Sequence, residues 1–229
     1  MKRDVLIIVP AYNEQESIYK TVLSIQKLNK YDYVVINDGS TDRTAEILDQ
    51  YHFNHIDLPV NLGIGGAMQT GYKYANRKGY EYAIQFDADG QHSADDLDKL
   101  VQEARTTDVD MVIGSRFVEK SDYKGSVMRR IGIFYFYFLL YALTKVKVKD
   151  PTSGYRIVNK KIIEEYTHYY PVDYPEVEVI VHLSKRKYRI KETKVEMNDR
   201  QGGVSSITPV KSIYYMIKVT VFSFLRVIF

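Results

Sequence analysis

Residues 5–9 form an unbroken run of large apolar side chains, Val5-Leu6-Ile7-Ile8-Val9, closed by Pro10. A short run without polar alternation predicts a strand buried on both faces, as in a parallel sheet. Residues 17–28 carry Ile18, Val22, Ile25 and Leu28 at helical spacing, and residues 33–36 make a second short apolar strand. A helix is predicted over 44–48, with Thr41 or Asp42 as its N-cap. Further helices are predicted over 65–75 and 95–104, and strands over 82–86 and 111–113. Strands alternating with helices predict an α/β domain with a mostly parallel sheet flanked by helices. In such sheets ligands bind at the carboxyl ends of the strands.

After Arg116 the pattern changes. Residues 131–143 are uncharged and crowded with Phe, Tyr and Leu, with Arg129 and Arg130 before them and Lys145, Lys147 and Lys149 after. The stretch is shorter than the about twenty residues a membrane-spanning helix needs. The flanking cations favour a helix over 131–149 lying in a membrane interface, with a buried core helix as the alternative. Residues 190–197 alternate as a strand does, and the polar, glycine-bearing stretch 198–206 reads as a loop. Residues 207–229 are apolar but carry Lys211, Lys218 and Arg226 at intervals of seven and eight, broadly on one helical face. That predicts an amphipathic helix with its cations toward anionic lipid headgroups, or one packed on the core or on a partner. The expected organisation is a catalytic domain over 1–206 followed by this helix.

Composition narrows the class. A chain of 229 residues suffices for one ordinary α/β domain. The absence of Cys excludes disulfides, thiolate metal sites and cysteine nucleophiles. The apolar run before Pro10 is too short for the core of a signal peptide. A net charge of +3 gives little support for a nucleic-acid partner. The 21 Tyr, with no Trp, suit cores, sugar-facing clefts and lipid interfaces alike and choose none of them.

The polar chemistry gathers at three predicted strand ends: Pro10-Ala11-Tyr12-Asn13-Glu14, Asn37-Asp38-Gly39-Ser40-Thr41-Asp42 and Asp87-Ala88-Asp89-Gly90-Gln91-His92. A parallel sheet brings all three to one edge. Turn chemistry alone explains Asp42 equally well. Asp87-x-Asp89 is the sharpest element: paired carboxylates after a buried strand suit a hard divalent cation that also takes phosphate oxygens and neutralises a departing diphosphate. Two rival readings are poor. Gly63-x-Gly65-Gly66 lacks a glycine at Met68 and an immediately preceding strand, against a dinucleotide fingerprint. His92 has no second His at ligand spacing, against a metal hydrolase.

Together with Asn61-Leu62-Gly63, Gly114-Ser115-Arg116 and Asp150-Pro151-Thr152-Ser153-Gly154-Tyr155-Arg156, these motifs resemble family 2 glycosyltransferases of GT-A fold. Within that family they resemble the branch of dolichyl-phosphate mannosyltransferase and bacterial polyprenyl-phosphate glycosyltransferases, over roughly residues 4 to 206. The resemblance implies that Pro10, Ala11, Tyr12 and Glu14 line the base and ribose pocket and that Asp38 accepts a hydrogen bond from the base. Gly39, Gly63, Asp87 and Ala88 belong to the same nucleotide-sugar site. Asp87, Asp89 and Gln91 would hold Mg²⁺ or Mn²⁺ against the diphosphate. Arg116 would lie near a donor or acceptor phosphate, with Ser153 and Arg156 on the acceptor side. Arg200, in Arg200-Gln201-Gly202-Gly203-Val204-Ser205, would clamp the diphosphate, although the spacing departs slightly from the family's pattern.

The implied reaction is an inverting transfer from a nucleotide sugar, a UDP-sugar first, to polyprenyl phosphate. Such an acceptor is mostly dianionic at neutral pH, because its second pKa is about 6, and it needs no general base. A sugar-hydroxyl acceptor would need one, and Asp173 or Glu176 are the candidates, Glu176 and Glu178 otherwise being solvated helix residues. The expected setting is peripheral, on the cytoplasmic membrane face, with a small membrane protein as a further possible partner. Rival functions are a polysaccharide-extending transferase and a non-catalytic scaffold of the same fold.

Overall fold

The computed structural model describes residues 3–118, 127–173, 175–197 and 209–228. Strand β1 (Val5–Ala11) is buried at every position, as its apolar run requires. It lies between β2 (Asp32–Asn37) and β4 (Tyr82–Gln85), parallel to both, and β3 (His55–Asp57) extends the sheet beyond β2. The seven strands run β3-β2-β1-β4-β6-β5-β7. Strand β6 (Arg156–Asn159) enters antiparallel between β4 and β5 (Met111–Ser115), and β7 (Ile190–Lys194) runs parallel to β5 at the edge. The sheet is thus mostly parallel, as expected. Strands β3 and β6 have no counterpart among the expected elements.

Alternation along β1 sends its side chains into two cores. Leu6 and Ile8 pack with Met68 and Tyr72 of α3 (Gly63–Lys78) and with Ile162 and Tyr166 of α6 (Lys160–His168). Val5, Ile7 and Val9 pack with α1 (Ile18–Leu28), Leu48 of α2 (Thr44–Gln50) and Leu97 and Leu100 of α4 (Leu97–Thr106), which a single 3-10 turn, Ala94–Asp96, precedes. Helix α3 lies hard against the sheet, since a Cβ on Gly71 would stand 2.3 Å from the Ile8 side chain.

The apolar stretch after Arg116 is helix α5 (Val127–Thr144). It stops short of the expected 149, and Lys145 follows in the left-handed region at φ 62°. With α7 (Pro175–Lys185) and α8 (Pro209–Ile228) it builds a small third core of Phe136, Val177 and Val219. Both α5 and α8 turn large apolar side chains outward. On α5 these are Ile131, Phe134, Phe138 and Tyr141, and on α8 Tyr214, Ile217, Val221 and Phe224, each set three or four residues apart. Of the α8 cations, Lys218 lies partly exposed and pairs with Asp173. Among the described residues, no helix is long and apolar enough to cross a membrane.

Candidate active site

The carboxyl ends of β1, β2 and β4 lie side by side, and hydrogen bonds lace the first two loops together. Asn13, in the left-handed region at φ 56°, accepts the Thr41 N–H at 2.8 Å on its side-chain oxygen. The Gln15 N–H donates to Asp42 Oδ2 at 3.1 Å, while Asp42 Oδ1 takes the Thr44 N–H at 2.9 Å. Asp42 is therefore occupied by turn and helix-start chemistry. Pro10 and Ala11 are the buried last residues of β1, Tyr12 stands exposed just beyond, and Glu14 accepts Ser17 Oγ at 2.7 Å. Gly39, at φ 65°, lies where a Cβ would be 2.8 Å from Asn61 N. Only glycine makes that turn against the following loop without strain.

Asp38 is buried, and its Oδ1 accepts the Leu62 N–H at 2.8 Å, at the threshold of α3. Burial raises its pKa, opposed by the Leu62 and Gly63 N–H groups. A carboxylate at a helix N-terminus is stabilised by the unpaired N–H groups there. The bond ties the β2 end to the Asn61-Leu62-Gly63 motif.

The Asp87 loop is braced from several sides. Gln85 Nε2 donates to Asp87 Oδ1 at 3.0 Å, and the Asp87 N–H donates to His92 Nδ1 at 3.0 Å. The His92 ring stacks on Tyr155 at 4.5 Å and meets Phe86 edge-on at 5.5 Å. Burial lowers the His92 pKa, against the nearby Asp87 and Asp89 charges. A neutral ring accepting at Nδ1 carries its proton on Nε2, which lies 3.5 Å from Asp87 Oδ2. His92 thus orients Asp87 and is itself fully occupied. Asp89, 6% exposed, accepts the Gln91 N–H at 3.0 Å across the turn at Gly90. Thr21 Oγ1 donates to the Ala88 carbonyl at 3.0 Å from below. Gly154 closes one wall, since a Cβ there would be 3.0 Å from Asp87 Oδ2.

Among the described residues, no group of three or more His, Cys, Asp or Glu side chains is placed to hold an ion. Two carboxylates at a strand end fit a metal that takes its remaining ligands from phosphate and water, as Mg²⁺ does.

The residues expected on the acceptor side are turned into the protein. Arg116 is 3% exposed and grips the fully buried Asp150 with Nε and Nη2, both at 2.7 Å. Asp150 N and Lys149 N in turn bond the Glu192 carboxylate, each at 2.8 Å. Arg156 donates to the carbonyls of Ser153, Glu176 and Pro151 at 2.6, 2.7 and 2.9 Å. Ser153 Oγ donates to Gly114 O at 2.6 Å. These side chains, expected at a phosphate, brace the chain crossing between β5 and β6. Arg200 and its loop lie outside the described residues.

The expectation that Glu176 and Glu178 are solvated is overturned. Glu178 is buried and accepts the Tyr169 hydroxyl at 2.5 Å. Glu176, half-buried in the first turn of α7, has its pKa raised by burial, with Arg156 opposing and Asp87 adding to the rise. The signal for its position is Pro175, a residue favoured at a helix start.

The sequence is 30% identical over 178 residues to the UDP-N-acetylglucosamine–dolichyl-phosphate N-acetylglucosaminyltransferase of Methanococcus voltae, covering 70% of this chain and 71% of that protein. It is 29% identical over 172 residues to the polyprenol monophosphomannose synthase of Mycolicibacterium smegmatis, covering 70% and 63%. The structure superposes on glucosyl-3-phosphoglycerate synthase from Mycobacterium tuberculosis, solved with Mn²⁺, UDP and phosphoglyceric acid, with a TM-score of 0.76 over 98% of this chain and 78% of that one. At 20% identity that likeness speaks to the fold alone, the GT-A arrangement. The profile of glycosyl transferase family 2 matches residues 6–167, and to that family the chain belongs.

Proposed function

We propose that the chain transfers a sugar, with inversion, from a UDP-sugar to polyprenyl phosphate at the cytoplasmic membrane surface, where it docks peripherally. The observation that carries this reading is the pair of outward apolar stripes on α5 and α8, joined by a 2.7 Å bond between the Tyr135 and Thr220 hydroxyls. Large apolar side chains displayed on neighbouring helices mark a surface meant to be covered. A lipid acceptor supplies that cover. The polyprenyl-phosphate chemistry named for the Methanococcus and Mycolicibacterium relatives supports the same acceptor.

In this reading Pro10, Ala11, Tyr12 and Glu14 receive the base and ribose, and Asp38, Gly39 and Gly63 shape the floor beneath them. Asp87 and Asp89, with Gln91 beside them, hold Mg²⁺ or Mn²⁺, which neutralises charge on the leaving diphosphate when bound. Arg200 meets the diphosphate. Arg116, Arg156 and Ser153 serve as positioning residues for the acceptor side. The phosphate acceptor attacks without a general base, so the protein's task is to align two anions.

The test is transfer from a panel of labelled nucleotide sugars to undecaprenyl phosphate with Mn²⁺ or Mg²⁺, beside Asp89→Ala. The expected outcome is a chloroform-extractable product that the substitution abolishes. A second reading, a sugar hydroxyl as acceptor, draws on Glu176, whose raised pKa suits a general base. It predicts a water-soluble glycan product and no lipid product.

A further inference from the structure

Residues 171–173, with Pro175 and Glu176 beyond them, touch three parts of the molecule. At one end they lie on α3. The Gly65 N–H donates to Val172 O at 3.0 Å, and a Cβ on Gly65 would stand 2.0 Å from Pro171 O. Only a glycine lets backbone meet backbone there. This is the turn of α3 that begins at Gly63, next to the Leu62 N–H that Asp38 holds. At the other end the Glu176 carbonyl accepts Arg156 Nη1 at 2.7 Å. Between the two, Asp173 Oδ2 pairs with Lys218 Nζ of α8.

Lys218 is held on a second side by aromatic rings, 5.7 Å from the Tyr214 centroid and 5.9 Å from that of Phe222. A cavity of about 660 Å³ separates the segment from α8, with Tyr170 and Val172 on one wall and Val219 and Phe222 on the other. Asp173 and Lys218 both line it and join its walls. A helix displaying an apolar stripe is thereby tied, through one ion pair, to backbone that rests on the start of α3.

We propose that Asp173 is a positioning residue: its pair with Lys218 lets α8 set how residues 171–173 seat on α3, and so sets the affinity for a nucleoside diphosphate. The inference rests on the donor-site reading above. Both partners are partly exposed, which limits the coupling to a factor of about two to five.

The test is titration calorimetry of UDP with Mn²⁺ on the full chain bound to phospholipid vesicles. It compares wild type, Asp173→Asn, Lys218→Gln and the double variant, with vesicle co-sedimentation and thermal unfolding recorded for each. Each single variant is expected to bind UDP about two- to fivefold more weakly, and the double variant no worse than either single one. In transfer assays the donor KM rises by the same factor and kcat holds. Equal UDP affinity in all four proteins, additive losses in the double variant, or a fall in kcat at unchanged KM would overturn the inference while leaving the donor site intact. If wild type binds neither UDP nor GDP, the donor-site reading falls and this inference with it.

Discussion

Adding one methyl group at Gly154 tests the metal site without touching a charged group. Gly154 does not occupy the left-handed region, so alanine there costs no backbone strain. Its Cβ would stand 2.7 Å from Gln85 Nε2 and 3.0 and 3.4 Å from the two Asp87 oxygens. Non-bonded atoms settle at about 3.5 Å or more. The nearer Asp87 oxygen must therefore retreat by about 0.5 Å and the Gln85 amide by about 0.8 Å. Ligand distances at metal sites cluster within about 0.2 Å, so the displacement is large on the scale of the proposed site. Gln85 cannot absorb it harmlessly, because its amide, with His92, holds Asp87 in place. Disturbing such supporting contacts lowers metal affinity by about 10–100-fold, or about 1.4–2.8 kcal/mol.

The assay is donor turnover against Mn²⁺ concentration, with thermal unfolding in EDTA as the control. Gly154→Ala should shift the Mn²⁺ midpoint upward by one to two orders of magnitude while the metal-free protein stays folded, overpacking of this kind costing about 1–3 kcal/mol. An unchanged Mn²⁺ midpoint in a folded variant would refute the assignment of Asp87 to the metal.

Three further outcomes follow from the same contacts. Asp150→Asn leaves the Arg116 guanidinium buried without its counter-charge and should cost about 3–5 kcal/mol in urea unfolding, whereas Arg116→Met with Asp150→Leu should cost less. Phe134→Ser with Phe138→Ser removes two exposed rings from α5 and should weaken co-sedimentation with phospholipid vesicles at least tenfold, with thermal stability little changed. Glu176 has a folded-state pKa raised mainly by burial, so the native state holds its proton over a pH window where the unfolded chain has lost it; stability falls as pH rises through that window, and Glu176→Gln should flatten this part of the pH profile of unfolding.

The parts of the fold that could be read from the chain are those whose cause is local. The β1 run is apolar because both faces of that strand are covered, and the turn residues after β1, β2 and β4 announce themselves by type. Strand β6 could not be read this way: it has four residues, and its antiparallel place between β4 and β5 depends on pairing partners more than forty residues away. Arg116 shows the same limit within the site. Its pairing with the buried Asp150, thirty-four residues later in the chain, could not be read from the residues around it. The partner of an α8 cation depends on the same kind of distant contact. The spacing of its cations is local, but Lys218 meets Asp173, more than forty residues earlier in the chain, and the inward face is set by the packing of Val219 on α7.

The two buried arginines proposed for the acceptor side differ in their partners, and the difference bears on how a site for two anions is built. Asp150 pairs with Arg116 at hydrogen-bond distance, and the Arg116 charge still reaches His92, whose pKa it helps to lower. Arg156 is bonded to three carbonyl oxygens, and among the described residues no carboxylate forms an ion pair with it. Its charge is felt as a lowering influence on Tyr72, Tyr166, Tyr170 and Glu176 alike. A cation held by dipoles inside low-dielectric protein keeps its reach. Arg156 can therefore favour negative charge near Glu176 without touching a phosphate. The sequence pattern Asp-Pro-Thr-Ser-Gly-Tyr-Arg then combines a neutralising residue at its first position with an uncompensated cation at its last, separated by the glycine against which Asp87 rests.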